Sequence, residues 1–154
     1  MSDKPLREHL LELLEGKSAH IDLEKAVDSF PLDGINTQID GSPHTAWQLL
    51  EHIRIAQSDI LEFCKDPDHE SPPWPEGYWP KADGTPDKWR ESVRQMLADL
   101  EALRELARDD SIDLFAPIAH GDGQTVLREI LLVADHNAYH LGQLMLVRRM
   151  LEHK

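Results

Sequence analysis

The sequence has one cysteine, Cys64, in 154 residues. A single thiol builds neither an intrachain disulfide framework nor a cysteine-rich zinc site, and it suits a reducing compartment. Long apolar runs are missing too. The longest, Ile130 to Ala134, falls far short of the roughly 20 residues that a membrane-spanning helix needs. Basic residues are scarce, 16 against 29 acidic, for a net charge of −13. That balance excludes nucleic acid and anionic membranes as partners, because phosphates would be repelled, and weakly favours a divalent cation. The first residues are charged and carry no apolar stretch, so no secretory signal is expected and a cytoplasmic location is. Neither a His-Glu-x-x-His motif nor the paired Glu-x-x-His motifs of a di-iron bundle occur.

What is present is helical periodicity. At this length the chain is expected to form one domain, residues 1–154, with a core of its own. Residues 3–30 place Leu6, Leu10, Leu13, Leu14, Ile21, Leu23, Val27 and Phe30 at roughly helical spacing, with Asp3 as cap ahead of Pro5. Gly16 interrupts that pattern at a cost of about 1 kcal/mol relative to alanine. One long helix with a weak point there is favoured over two short ones, leaving His20 just past the weak point at the surface.

After a loop over 31–41, Ser42-Pro43 offers a cap and a first-turn proline for a second helix reaching about Cys64. Five prolines between Pro67 and Pro80 forbid its continuation. The three rings of Trp74, Tyr78 and Trp79 in that loop need something to cover, either the end of a bundle or a pocket. Thr85-Pro86 starts a third helix carrying Trp89, Val93, Met96, Leu100, Leu103 and Ala107 inward; its stripe holds no metal ligand and reads as scaffold. A turn at Gly121-Asp122-Gly123 precedes Thr125, which opens a fourth helix running to about Leu151. Asp122 and Gln124 are explained by chain reversal and capping.

Four amphipathic helices without strand signals predict an all-α four-helix bundle. The long connection between helices two and three permits a crossover, so the expected course is up-down-down-up. Helices two and four would then run antiparallel.

The fourth helix contains Asp135-His136-Asn137-Ala138-Tyr139-His140-Leu141-Gly142-Gln143. Residues four apart stack about 6 Å along a helix axis, so His136 and His140 point the same way and can share one metal ion. Two imidazoles are too few for a tight site; the second helix offers a third in His52, at the edge of its apolar stripe. Three neutral imidazoles leaving positions for water or substrate form the ligand set of a catalytic rather than a structural ion. Cys64 lies three turns beyond His52, too far to join. Imidazole suits Zn, Ni, Fe or Cu. Glu51 and Asp135 adjoin ligands, but neighbours on a helix diverge by about 100°, so both are expected in surface or interhelical pairs. Gln143, one turn beyond His140, is the best placed to orient a ligand.

Leu49-Leu50-Glu51-His52-Ile53-Arg54, taken with Asp135 to Gln143, resembles the DinB superfamily. The tryptophan-rich loop and His120-Gly-Asp-Gly-Gln-Thr125 are similar to members of that group as well. The resemblance covers essentially the whole chain. It implies a four-helix bundle, frequently a homodimer, with a three-histidine metal centre falling on His52, His136 and His140. Zn or Ni is the expected ion, with Fe, Mn or Co as further candidates. Relatives include thiol S-transferases that use bacillithiol and a mycothiol-dependent isomerase. A metal-dependent enzyme acting on a small molecule, by thiol transfer or by hydrolysis, is one expectation; a metal-binding or stress-associated bundle without turnover is the other. No residue of the chain marks a thiol-binding signature, and no protein nucleophile is expected.

Overall fold

A computed structural model describes residues 3–153. Met1, Ser2 and Lys154, at the ends of the expected domain, lie outside the described residues. Five helices follow one another: α1 (Lys4–Glu15), α2 (Leu23–Val27), α3 (Ala46–Lys65), α4 (Pro86–Arg108) and α5 (Val126–Glu152). Short 3-10 turns occupy Leu32–Gly34 and Glu76–Tyr78. No strand occurs among the described residues, only an isolated bridge between Pro117 and Thr125. The four long helices make the bundle that the periodicity predicts.

The N-terminal stretch corrects the expectation of one long helix. Leu10 and Leu14 are buried on α1, but Gly16 adopts φ 69°, and its N–H bonds back to Glu12 and Leu13. A residue without a β-carbon takes that left-handed conformation at little cost and closes the helix. The chain restarts only where the Asp22 carboxylate accepts the Lys25 N–H at 2.8 Å and caps α2. Asp3 precedes α1 but caps no backbone group; its carboxylate takes the Arg7 guanidinium at 2.9 Å. Arg7 is buried and donates onward to the carbonyls of Ala107, Asp109 and Ile112 at 3.0, 2.8 and 2.6 Å. It thereby satisfies the Ala107 carbonyl, which the end of α4 leaves without a helical partner, and ties down two carbonyls of the loop that follows.

The start of α3 is also corrected. Ser42 donates its hydroxyl to the His44 carbonyl within a turn, at 2.7 Å, and the helix begins three residues later. Thr45 accepts the Gln48 N–H at 3.2 Å while Gln48 accepts the Thr45 N–H at 3.0 Å. This reciprocal pair satisfies two donors at once, which a lone serine cap does not. Thr85 and Thr125 cap α4 and α5 in the simpler way.

α3 packs along both α4 and α5, while α1 lies against α4 and α5 from the other side. Leu49, Leu50, Ile53, Met96, Leu103, Ile130, Val133 and Leu144 are fully buried between them. Each such side chain contributes about 1.5–3 kcal/mol by leaving water. One polar residue sits in the same layer. Gln57 donates to the Met96 carbonyl at 2.6 Å and accepts from Asn137 at 2.8 Å, linking α3, α4 and α5.

The loop after α3 is fastened to the bundle at its far end. Asn36 exchanges two hydrogen bonds of 2.9 Å with the Gly84 backbone, and Trp47 donates its indole N–H to Ala82 at 2.9 Å. A β-carbon on Gly84 would stand 2.4 Å from the Trp47 ring, so only glycine fits there. This anchorage holds residues 78–84 across the first turns of α3.

Candidate metal centre

His52 projects from the second turn of α3, and His136 and His140 from the middle of α5. One imidazole nitrogen from each lies within 4.8 Å of the others, the only group of three or more potential ligands of this kind among the described residues. The Nε2 atoms of His52 and His136 stand 3.0 Å apart. The ring of His140 is 4.5 Å from both of the other rings, centroid to centroid. His52 is buried; His136 and His140 are half-buried.

Hydrogen bonding decides which nitrogens are available. A backbone carbonyl only accepts, so the His52 Nδ1–H donates to the Tyr78 carbonyl at 2.9 Å. The Nδ1–H of His140 donates in the same way to Gln143 Oε1 at 2.7 Å. With Nδ1 protonated, the neutral rings of His52 and His140 carry their lone pairs on Nε2.

Burial is the main cause that lowers the proton affinity of all three rings. His136 is pushed down to about 4, with the neighbouring His140 and His52 adding to the effect. For His52 and His140 the bonds to Tyr78 and Gln143 partly offset it. With its lone pair on Nε2, His52 accepts from the His136 Nε2–H across the 3.0 Å gap, and a cation would take that proton's place once His136 carries it on Nδ1. Nitrogens held about 2.0–2.1 Å from one ion in a tetrahedral set stand about 3.3–3.4 Å apart; the three rings bracket that spacing, and small side-chain adjustments bring them to it. The donor set therefore fits a divalent metal, and fixing the remote nitrogens is what makes such ligands effective.

Two further residues join the site: Trp79, from the loop whose rings need something to cover, and His44, which nothing in the sequence marks. Trp79 stacks on His52 with ring centroids 3.9 Å apart and planes within 1°. It also stacks on His44, at 4.0 Å and 21°. Burial, with the nearby His52, lowers the proton affinity of His44 as well. His44 precedes the α3 cap by one residue and belongs to no motif. The tryptophan-rich loop thus divides: Trp79 covers His52, whereas Trp74 is 76% exposed and covers little.

Beside the site lies a cleft of about 330 Å³, between residues 40–44 and the C-terminal half of α5. Leu49, Leu146, Val147 and Met150 make its apolar wall, and His44 and Gln143 also line it, Gln143 being the residue that bonds His140.

The remaining candidates fall away from the cluster. Glu51 is buried but pairs with Arg54 on its own helix, at 2.7 and 2.9 Å. Asp135 and His20 are exposed. Asp122 donates its N–H to Gln124 Oε1 in the chain reversal. Cys64 has its thiol pushed up to about 12 by burial and by Glu129, which leaves almost no thiolate at neutral pH. α4 contributes no residue to the histidine cluster.

An all-helical bundle with three histidines converging from its second and last long helices defines a class of candidate metal-binding proteins. The family model of the DinB superfamily matches residues 17–144. The chain belongs to the DinB superfamily. No curated protein and no solved structure matches it.

Proposed function

We propose that the protein binds one divalent metal ion through His52, His136 and His140 and uses it to act on a small molecule, by thiol S-transfer or by hydrolysis. The observation that carries this reading is the convergence of three neutral imidazoles, two of which, His52 and His140, have their outer nitrogens occupied elsewhere. Zn or Ni suits the all-nitrogen set best, with Fe, Mn or Co as alternatives. Bound there, the ion supplies Lewis acidity to a thiol or a water and a point of attachment for an oxyanion.

The chain's own groups do the rest. The Tyr78 carbonyl and Gln143 hold two of the rings in the tautomer that presents Nε2. Trp79 keeps water from one face of His52. The cleft by His44 and Gln143 seats the substrate, its apolar body against Leu146, Val147 and Met150. Cys64 provides no nucleophile, so a thiol for transfer comes from a low-molecular-weight cosubstrate.

One observation favours metal binding without turnover. Among the described residues, no carboxylate hydrogen-bonds to the three rings, which leaves no evident acid–base partner at the ion. A panel of bacillithiol, mycothiol, glutathione and coenzyme A with electrophilic acceptors, run beside ester and amide hydrolysis, separates the two. Turnover that requires added Zn or Ni supports the enzyme; stoichiometric metal with silence throughout supports the metal-binding bundle.

The same reading takes residues 1–154 as one domain, in the cytoplasm and as a homodimer. Its course is up-down-down-up, supported by cross-helix pairs. Arg7 near the start of α1 reaches Ala107 at the end of α4. Glu51 early in α3 faces Ser92, while Glu62 near its end lies by Asp99. His52 early in α3 meets His136, while Phe63 near its end meets His120 just before α5. No helix of the described residues is long and apolar enough to cross a membrane.

A further inference from the structure

Asp59 lies on α3 two turns beyond His52 and touches none of the three histidines, yet both ends of the tryptophan-rich loop are tied to it. Its Oδ2 accepts the Tyr78 hydroxyl at 2.6 Å, and its Oδ1 accepts the His69 Nε2–H at 2.7 Å. The Asp59 side chain is 11% exposed and that of His69 19%, so water competes little for either bond. Tyr78 is the same residue whose carbonyl receives the His52 Nδ1–H, and the next residue, Trp79, carries the ring stacked on His52.

We infer that Asp59 is a positioning residue for the metal centre: by fastening His69 and Tyr78 it seats the loop on α3, and so holds His52 in the tautomer and rotamer that present Nε2. The chain of contacts is continuous. Asp59 fixes the phenol, the phenol fixes the Tyr78 backbone, and the carbonyl fixes the imidazole. Without the carboxylate, the 67–80 segment keeps its anchor at Ala82–Gly84 but loses the two bonds that set the carbonyl's height over α3. His52 then loses a committed acceptor for Nδ1–H and distributes its proton between both nitrogens. A ring that must first select a tautomer and orientation binds a cation more weakly, and outer partners of this kind are worth about 10–100-fold in metal affinity.

This inference rests on the metal reading for its affinity arm alone, and the test has a second arm without metal. The variants are Asp59→Asn, Tyr78→Phe and His69→Gln, with Arg7→Lys as a control that loosens the bundle at the junction of α1 and α4. In metal-free protein, the ring ¹⁵N shifts of His52 report its tautomer; Zn affinity is then measured by competition with a chromophoric chelator. Tyr78→Phe, which loses only the hydroxyl, should move the His52 shifts toward a tautomer mixture and weaken Zn binding about tenfold. Asp59→Asn keeps one oxygen that can still accept the Tyr78 hydroxyl, so its change should lie in the same direction and be the smaller of the two. His69→Gln keeps a donor for Oδ1 and should stay within about threefold of wild type. Arg7→Lys should lower the melting temperature and change neither readout. Unchanged His52 shifts and unchanged affinity in Tyr78→Phe would overturn the inference even if Asp59→Asn fails to fold. An equal change in Arg7→Lys would overturn it too, because general loosening would then suffice. If wild-type protein binds no Zn, the metal reading fails, and the ¹⁵N arm still decides whether Asp59 sets the His52 tautomer.

Discussion

Metal-free protein should lose stability between neutral pH and about pH 4, and His136 should account for a measurable share of the loss. Its folded-state proton affinity lies near 4, against 6.5 for an unperturbed imidazole. Between those values the unfolded chain binds a proton that the folded chain rejects. Stability is therefore fully present above about pH 6.5, falls as the pH drops through the window, and stops falling from this source below about 4. A difference of this size corresponds to roughly 3 kcal/mol at about 1.4 kcal/mol per tenfold in proton affinity. The ring is half-buried, and solvent screening reduces the figure to about 2 kcal/mol. That is a substantial fraction of the 5–15 kcal/mol typical of a folded domain. His52 and His140 are shifted in the same direction and add to the slope. The assay is urea unfolding in chelator from pH 7.5 to pH 4.5, comparing wild type with His136→Gln. Carboxylates titrate in both proteins and cancel in the difference. The variant should show a pH dependence smaller by about 2 kcal/mol across the window. Parallel profiles would refute the assignment of His136 as a neutral ring held against protonation.

Other perturbations probe the frame and the chemistry. Thr45→Ala removes one half of the reciprocal cap on α3 and should cost about 1 kcal/mol, read as a fall of a few degrees in melting temperature. Cys64→Ser should leave metal content unchanged, since the thiol is held protonated and away from the cluster; loss of metal on this substitution would show that Cys64 is a ligand after all.

The parts of this fold that local chemistry controls were legible in the sequence. Thr85-Pro86 and Thr125 begin α4 and α5 as expected, because a cap followed by an apolar stripe is a signal contained within one helix. The spacing of His136 and His140 is equally local, and Gln143 meets His140 because three residues is nearly one turn. What escaped depended on choices between competing local signals or on tertiary approach. The apolar spacing runs on through Gly16, so periodicity alone does not reveal the break that its left-handed backbone imposes. Ser42 and Thr45 are both reasonable caps; the later one prevails because Gln48 returns the bond. Tyr78 orients His52 through a backbone carbonyl, which no side-chain motif can announce. His44 and Asp59 matter only because a proline-rich loop folds back over α3, and nothing in residues 67–80 specifies that path by itself.

The central claim is that three histidines hold one metal ion, and elemental analysis of purified protein tests it most directly. Wild type and the variants His52→Ala, His136→Ala and His140→Ala are loaded with Zn or Ni, desalted, and assayed for metal per chain, with circular dichroism to verify that each remains helical. The account predicts close to one ion per chain in wild type and a sharp loss in every variant at unchanged helicity. Full occupancy in all three variants, or no metal retained by wild type, would contradict it.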